Sequence, residues 1–172
     1  GIKAALREFL GGKPKAAEVA KSIGEMVKNI CKDYSDEHNE TFDAVMIGHS
    51  HGGGLAQYAA AANGVKGVVF NSRPLGAALR KQLIKEGKLE NESNIYHFSS
   101  GGDFLTDNKF FNFLSKGIKK IAGRNALIPQ NIGHQYKMEM GELSHGGGLI
   151  KGMLRKHNNY SDQIKNAADQ NK

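Results

Sequence analysis

The apolar residues of the first forty positions recur at intervals of three and four, the spacing that gathers side chains on one face of an α-helix. This spacing predicts a long amphipathic helix from Pro14 to Tyr34, and proline suits its first turn. Its apolar positions are Ala16, Val19, Ala20, Ile23, Val27, Ile30, Cys31 and Tyr34. A second short helix is predicted for Ala4 to Leu10, and no strand is predicted before position 42.

From position 42 onwards, short β-prone runs alternate with helical segments. Strands are predicted at 42–47, 65–70, 95–99 and 132–140, and helices at 55–62, 74–86 and 146–156. Apolar strands that alternate with helices indicate an α/β fold, with a mostly parallel sheet covered by helices on both faces. Because no strand precedes position 42, we expect this sheet to lack its N-terminal strands. The predicted organisation is a leader with a short helix at 1–13, a catalytic domain at 14–157 and a polar, frayed tail at 158–172.

Composition narrows the class of protein without naming a function. The chain has 172 residues, 39% of them hydrophobic and 24% charged, which fits one soluble domain and excludes disordered, collagen-like and coiled-coil proteins. No apolar run approaches the roughly 18–20 residues of a membrane-spanning helix. The single cysteine, Cys31, cannot form an internal disulfide. The chain begins with Gly1 and has no signal core, so we expect a processed product or an excised domain, with the compartment left open.

The segment Gly48-His49-Ser50-His51-Gly52 is the candidate for a catalytic turn, because it follows a predicted strand and precedes a predicted helix. This is the context of a nucleophile elbow, G-x-S-x-G, in which the turn exposes the serine hydroxyl above the strand ends. The two non-catalytic explanations of this glycine-rich segment are a flexible loop and an anion-binding turn. A phosphate-binding loop of the Walker type is disfavoured because its lysine and Ser/Thr are missing.

A serine nucleophile needs a histidine base and an acid that orients the imidazole, and in this fold they follow in the order Ser, Asp, His. Asp103 follows a predicted strand, with Asp107 as the alternative acid. His145 precedes the last predicted helix and is preferred over His134, which lies inside a predicted strand where histidine is more often structural.

The segment Ser-His-Gly-Gly-Gly-Leu occurs twice, at 50–55 and at 144–149. Only the first copy has a glycine two positions before its serine, so Ser144 is not a rival nucleophile. The histidines at 49, 51, 134 and 145 could suggest a metal site, but no carboxylate accompanies them at a zinc-site spacing, and we predict neither metal nor cofactor.

The segment AVMIGHSHGGGLAQYAA at 44–60 resembles the elbow of α/β-hydrolases of the class 3 lipase type and their bacterial phospholipase A1-like relatives, which usually carry leucine in place of His51. VKGVVFNSRPLG at 65–76 resembles the strand, turn and helix that follow it. NIYHFSSGGDFLTD at 94–107 and IGHQYKMEMGELSHGGGLI at 132–150 are similar to the acid-bearing and histidine-bearing segments. The resemblance implies hydrolysis of lipid esters by Ser50, Asp103 and His145, with the backbone N–H of His51 in the oxyanion hole.

A basic segment rich in phenylalanine lies between Asp103 and the last predicted strand. Its apolar positions have helical spacing and comprise Phe111, Leu114, Ile118 and Ile121; its basic residues are Lys109, Lys116, Lys119, Lys120 and Arg124. Such a helix either covers the sheet with a solvated lysine face or lies on an anionic membrane surface. The whole chain has a formal net charge of +7, and this basic segment favours a phospholipid substrate, whereas no recognisable module favours nucleic acid.

The sequence thus predicts a serine esterase or lipase of phospholipase A type. The second oxyanion donor ordinarily follows an earlier strand, so we expect a partner chain or an upstream segment to complete the sheet. The alternative is a non-enzymatic hydrolase-like scaffold that binds a membrane or a protein partner. A secreted or bacterial effector-like protein that acts peripherally at membranes fits either hypothesis.

Overall fold

The computed structural model describes residues 15–100 and 129–138, which form three α-helices, a short 3₁₀ helix and four strands. In chain order they are α1 (Lys15–His38), β1 (Val45–His49), α2 (Ser50–Asn63), β2 (Lys66–Phe70), α3 (Ala77–Lys85), the 3₁₀ helix (Leu89–Asn94), β3 (Ile95–Ser100) and β4 (His134–Met138). The predicted elements at 4–10 and 146–156 lie outside the described residues.

The four strands form one parallel sheet in the order β1-β2-β3-β4. One row of the register joins Ile47, Val68, Tyr96 and His134 across the whole sheet. Parallel neighbours require crossover connections, and helices supply those between β1, β2 and β3. The α/β class and the parallel sheet predicted from the alternation of elements are therefore confirmed.

Two element boundaries differ from the sequence prediction. Strand β1 begins at Val45, three residues later than predicted. Helix α2 begins at Ser50, five residues earlier, because Gly52, Gly53 and Gly54 are helical. Glycine has a low intrinsic helix propensity, so tertiary packing overrides the local preference in this turn.

The main core lies between one face of the sheet and the helices. Helix α2 stands at its centre and is buried over most of its length, from Ala56 to Ala62. Leu79 and Leu83 of α3 join the same apolar cluster as Ile95 of β3. The core fixes α2 behind the strands and thereby fixes the turn from which α2 starts.

Tyr58 of α2 is fully buried, and its hydroxyl meets no hydrogen-bond partner within the described part of the chain. Burial raises the pKa of this hydroxyl to about 12, and the charges of Glu18 and Glu86 act in the same direction. A buried hydroxyl without a partner destabilises the folded state.

Helix α1 buries a different stripe from the one its apolar spacing predicts. Ala17 and Gly24 are buried, and a Cβ on Gly24 would lie 2.6 Å from Nδ2 of Asn63. Five large apolar side chains of α1 are instead 45–59% exposed: Val19, Ile23, Met26, Ile30 and Tyr34. Small residues allow α1 to approach α2 closely, and this close approach decides which stripe turns inward.

The second face of the sheet carries a row of stacked rings. Phe70 stacks on Phe98, and Phe98 stacks on Tyr136, with ring centroids 5.7 Å and 5.1 Å apart. At the β1 end, in contrast, Val45 is 41% exposed and Ile47 is 70% exposed. Helices that cover this second face remain a prediction for residues outside the described ranges.

Candidate active site

Ser50 stands at a strained turn between β1 and α2. The preceding residue, His49, is extended, with φ −126° and ψ 142°, and Ser50 itself has a φ of 54°. A left-handed conformation costs an L-residue other than glycine about 1–2 kcal/mol, so the surrounding structure must hold Ser50 in place. This abrupt change of direction presents the residue at the carboxyl end of β1.

Two glycines are required by close packing at this turn. A Cβ on Gly48 would lie 2.5 Å from the carbonyl oxygen of Gly52, and a Cβ on Gly53 would lie 2.7 Å from the side chain of Ser72. A Cβ on Gly52 meets no described heavy atom within 4 Å. Of the two glycines in the G-x-S-x-G motif, Gly48 and Gly52, only Gly48 is therefore required by packing. Gly53, which follows the motif, is required as well.

The loop that follows β2 is fastened to the turn. The backbone N–H of Arg73 donates to the carbonyl oxygen of Ser50 at 2.9 Å. The Arg73 guanidinium lies 3.1 Å from Nδ1 of His51. Because arginine only donates hydrogen bonds, His51 Nδ1 is the acceptor in this contact.

Gln57 connects three segments from inside the core. Its Nε2 lies within donating distance of Ser72 Oγ at 2.5 Å, of Asn131 Oδ1 at 3.1 Å and of the Arg73 carbonyl oxygen at 3.2 Å. Its Oε1 accepts from the backbone N–H of Ile132 at 3.1 Å. The fully buried amide therefore joins α2, the loop after β2 and the segment before β4.

His97 extends this polar network to β3. Its ring is buried, and Nε2 accepts a hydrogen bond from the backbone N–H of Ser72 at 3.1 Å. The neighbouring Asn71 has a φ of 40° and donates its N–H to the Phe98 carbonyl oxygen at 2.8 Å. The loop after β2 is thus held from both sides, and it in turn supports the Ser50 carbonyl.

The structure does not bring His134, the alternative base, to Ser50. His134 lies in the register row of Ile47, three strands away from β1. At about 4.8 Å between strands, its backbone is roughly 14 Å from β1 before the further distance along the strand is added. Its Nε2 instead contacts the Ser93 carbonyl oxygen at 3.1 Å, and its ring stacks on Tyr96. The structure therefore places His134 away from Ser50, with its ring engaged in contacts with β3 and with the segment before β3.

The remaining predicted site residues lie outside the described residues. They are Asp103, Asp107, His145, Phe111, Leu114, Ile118, Ile121, Lys116, Lys119 and Lys120. Their roles stay predictions. Within 15–100 and 129–138, no three His, Cys, Asp or Glu side chains are grouped as a metal site requires. In the same ranges, no helix combines the length and the apolar character needed to cross a membrane.

Charge is distributed unevenly around the described sheet. The described residues include ten acidic ones, which lie on α1, in the connection into β1 or in the connection from α3 into β3. They are Glu18, Glu25, Asp33, Asp36, Glu37, Glu40, Asp43, Glu86, Glu90 and Glu92. None of these follows the carboxyl end of a strand. The described residues at that edge instead include Arg73, His49, His51 and the exposed Lys137.

Sequence reasoning missed the polar network behind the turn. Gln57 is the only strongly polar residue inside the alanine-rich part of α2, and this isolation was a usable signal. Arg73 lies three positions after the end of β2, at the edge where polar residues of parallel sheets come together. No spacing rule could pair Gln57 with Asn131, because their contact joins positions 74 residues apart in the chain.

Comparisons with known proteins assign no family. No protein-family model matches the chain, and no curated protein is significantly similar to it. The functional argument therefore depends on the sequence motifs and the geometry around Ser50.

Proposed function

We propose that the chain is an α/β-hydrolase-type serine esterase of the class 3 lipase type, which hydrolyses carboxylic esters of lipids in the manner of a phospholipase A. The observation that carries the proposal is the φ of 54° at Ser50, directly between a parallel strand and a helix. A structure tolerates such strain where function needs it. A flexible loop or a simple anion-binding turn gives no reason for a strained serine at this position.

In the proposed mechanism, His145 accepts the hydroxyl proton of Ser50 as the serine oxygen attacks the ester carbonyl. Asp103 holds the imidazole and stabilises its protonated form. The tetrahedral intermediate collapses to an acyl-Ser50 ester, and the leaving alcohol takes the proton from His145. Water then attacks the acyl group with His145 again as base, which releases the fatty acid and restores Ser50.

The backbone N–H of His51 would donate to the oxyanion, since it belongs to the residue after the nucleophile. One such donor contributes about 2.7–4 kcal/mol to transition-state stabilisation. A second donor would come from a segment or chain beside β1. The exposure of Ile47, at 70%, supports a partner at this end of the sheet.

Covalent labelling with a fluorophosphonate probe tests the proposed nucleophile. We expect the probe to label the wild-type chain, and peptide mapping to place the adduct on Ser50. Ser50→Ala should abolish labelling, whereas Ser144→Ala, in the second copy of the same hexapeptide, should leave it intact. Absence of labelling at Ser50 would favour the alternative, a hydrolase-like scaffold that binds a membrane or a protein partner.

The lipid substrate is tested separately through the basic segment at 109–124. Each basic residue near an anionic leaflet contributes up to about 1 kcal/mol to binding. We expect the chain to co-sediment with anionic vesicles more than with neutral ones, and the double variant Lys116→Glu with Lys119→Glu to lose this difference. Equal binding of both proteins to both vesicles would leave the segment as a cover for the sheet.

A further inference from the structure

Among the described residues, Arg73 has the one guanidinium that contacts His51, the proposed oxyanion-hole residue. Its Nη1 lies 3.1 Å from Nδ1 of His51. The hydroxyl of Ser50 belongs to the neighbouring residue in the chain. The guanidinium therefore contacts the residue that follows the proposed nucleophile in the chain.

The backbone of Arg73 is fixed relative to Ser50. Its N–H binds the Ser50 carbonyl oxygen, and its own carbonyl oxygen accepts from Gln57 and from Ser72 Oγ, at 3.2 Å and 3.0 Å. These contacts involve only the backbone of Arg73. Replacing the side chain removes its contact with His51 but leaves these three backbone hydrogen bonds in place.

The charge around this position has one sign in the described residues, because all ten acidic side chains belong to other parts of the fold. Guanidinium also matches the geometry of phosphate oxygens, to which it can donate two parallel hydrogen bonds.

From these observations we propose that Arg73 is a specificity-determining residue, which binds the phosphate of a phospholipid substrate whose carboxylic ester reacts at Ser50. This inference rests on the proposed esterase function. Arg73 acts on the choice of substrate, and neutral esters of the same acyl chain are hydrolysed without its help.

The test compares two soluble substrates with the same acyl chains, dihexanoyl phosphatidylglycerol and the neutral dihexanoylglycerol. For Arg73→Gln we expect kcat/KM to fall roughly 10- to 100-fold on the phospholipid, the range for the loss of one charge-assisted hydrogen bond, and less than about threefold on the neutral ester. Arg73→Lys should recover only part of the loss, since lysine keeps the charge and lacks the fork of donors.

Lys137→Gln is the matched control, because it removes an exposed positive charge on β4, two strands away from the end of β2 that Arg73 follows. This variant should keep the wild-type ratio of the two rates. The neutral ester also reports on folding within each variant.

Equal losses on both substrates would show that Arg73 has only a structural role, and unchanged rates would show that it does not contact the substrate; either result overturns the inference. If the wild-type chain hydrolyses neither substrate and the probe does not label Ser50, the proposed function itself fails, and the inference fails with it. Hydrolysis with no dependence on Arg73 overturns the inference alone.

Discussion

Replacement of Gln57 by leucine would test whether the buried amide network supports the turn at Ser50. Leucine has a similar size but can neither donate nor accept hydrogen bonds. The change leaves the buried N–H of Ile132 without its acceptor and Oδ1 of Asn131 without its donor from Gln57. Ser72 Oγ keeps its hydrogen bond to the Arg73 carbonyl oxygen and is affected less.

The size of the effect follows from the number of groups that lose a partner. A buried polar group without a hydrogen bond destabilises the folded state by about 1–3 kcal/mol. The Ile132 N–H is buried and Asn131 Oδ1 is partly buried; with the added apolar surface of leucine as a partial compensation, we expect the free energy of unfolding to fall by about 3 kcal/mol. This loss is a large fraction of the stability of an ordinary domain.

Urea denaturation followed by circular dichroism measures this loss. Gln135→Leu is the control, because Gln135 is an exposed residue of β4 and its replacement should change stability by less than about 0.5 kcal/mol. A decrease for Gln57→Leu no larger than that of the control would refute the assigned role of the network. An unchanged dependence on urea concentration is required if the two proteins are to be compared as two-state systems.

Three further predictions follow from individual residues. Gly53→Ala should destabilise the fold by about 1–3 kcal/mol, because its Cβ would overlap Ser72, while Gly52→Ala should be neutral or stabilising in the same denaturation assay; equal effects would contradict the packing argument. Ser50→Gly should be more stable than Ser50→Ala by about 1 kcal/mol, since both lack the hydroxyl and only glycine is unstrained at a φ of 54°; equal stabilities would show that the turn is not strained. The pKa of Tyr58 is raised from 10.0 to about 12, so between these pH values the hydroxyl keeps its proton in the folded state and loses it in the unfolded state. Stability should therefore be intact below pH 10 and decrease between pH 10 and 12. This loss should be smaller in Tyr58→Phe, and identical pH profiles of the two proteins would contradict the raised pKa.

The sequence determined the class of fold because local patterns carry that information. Apolar runs of strand length alternate with helical segments, and a parallel α/β sheet is the arrangement that buries both. The candidate nucleophile was also predictable, because the glycines around Ser50 encode a tight turn within five positions. Helix α1 was predicted close to its observed bounds, as 14–34 against Lys15–His38.

Only the tertiary structure decided which face of α1 is buried, since Ala17 and Gly24 turn inward on account of the shape of α2 and not of their own hydrophobicity. It also placed His134 away from Ser50, because the position of His134 in the sheet depends on strand order, which local spacing does not encode. The same holds for Gln57 and Arg73, whose partners come from distant segments. Patterns of neighbouring residues record which elements form, whereas contacts between elements depend on how closely their surfaces approach, and that is settled only when the chain packs.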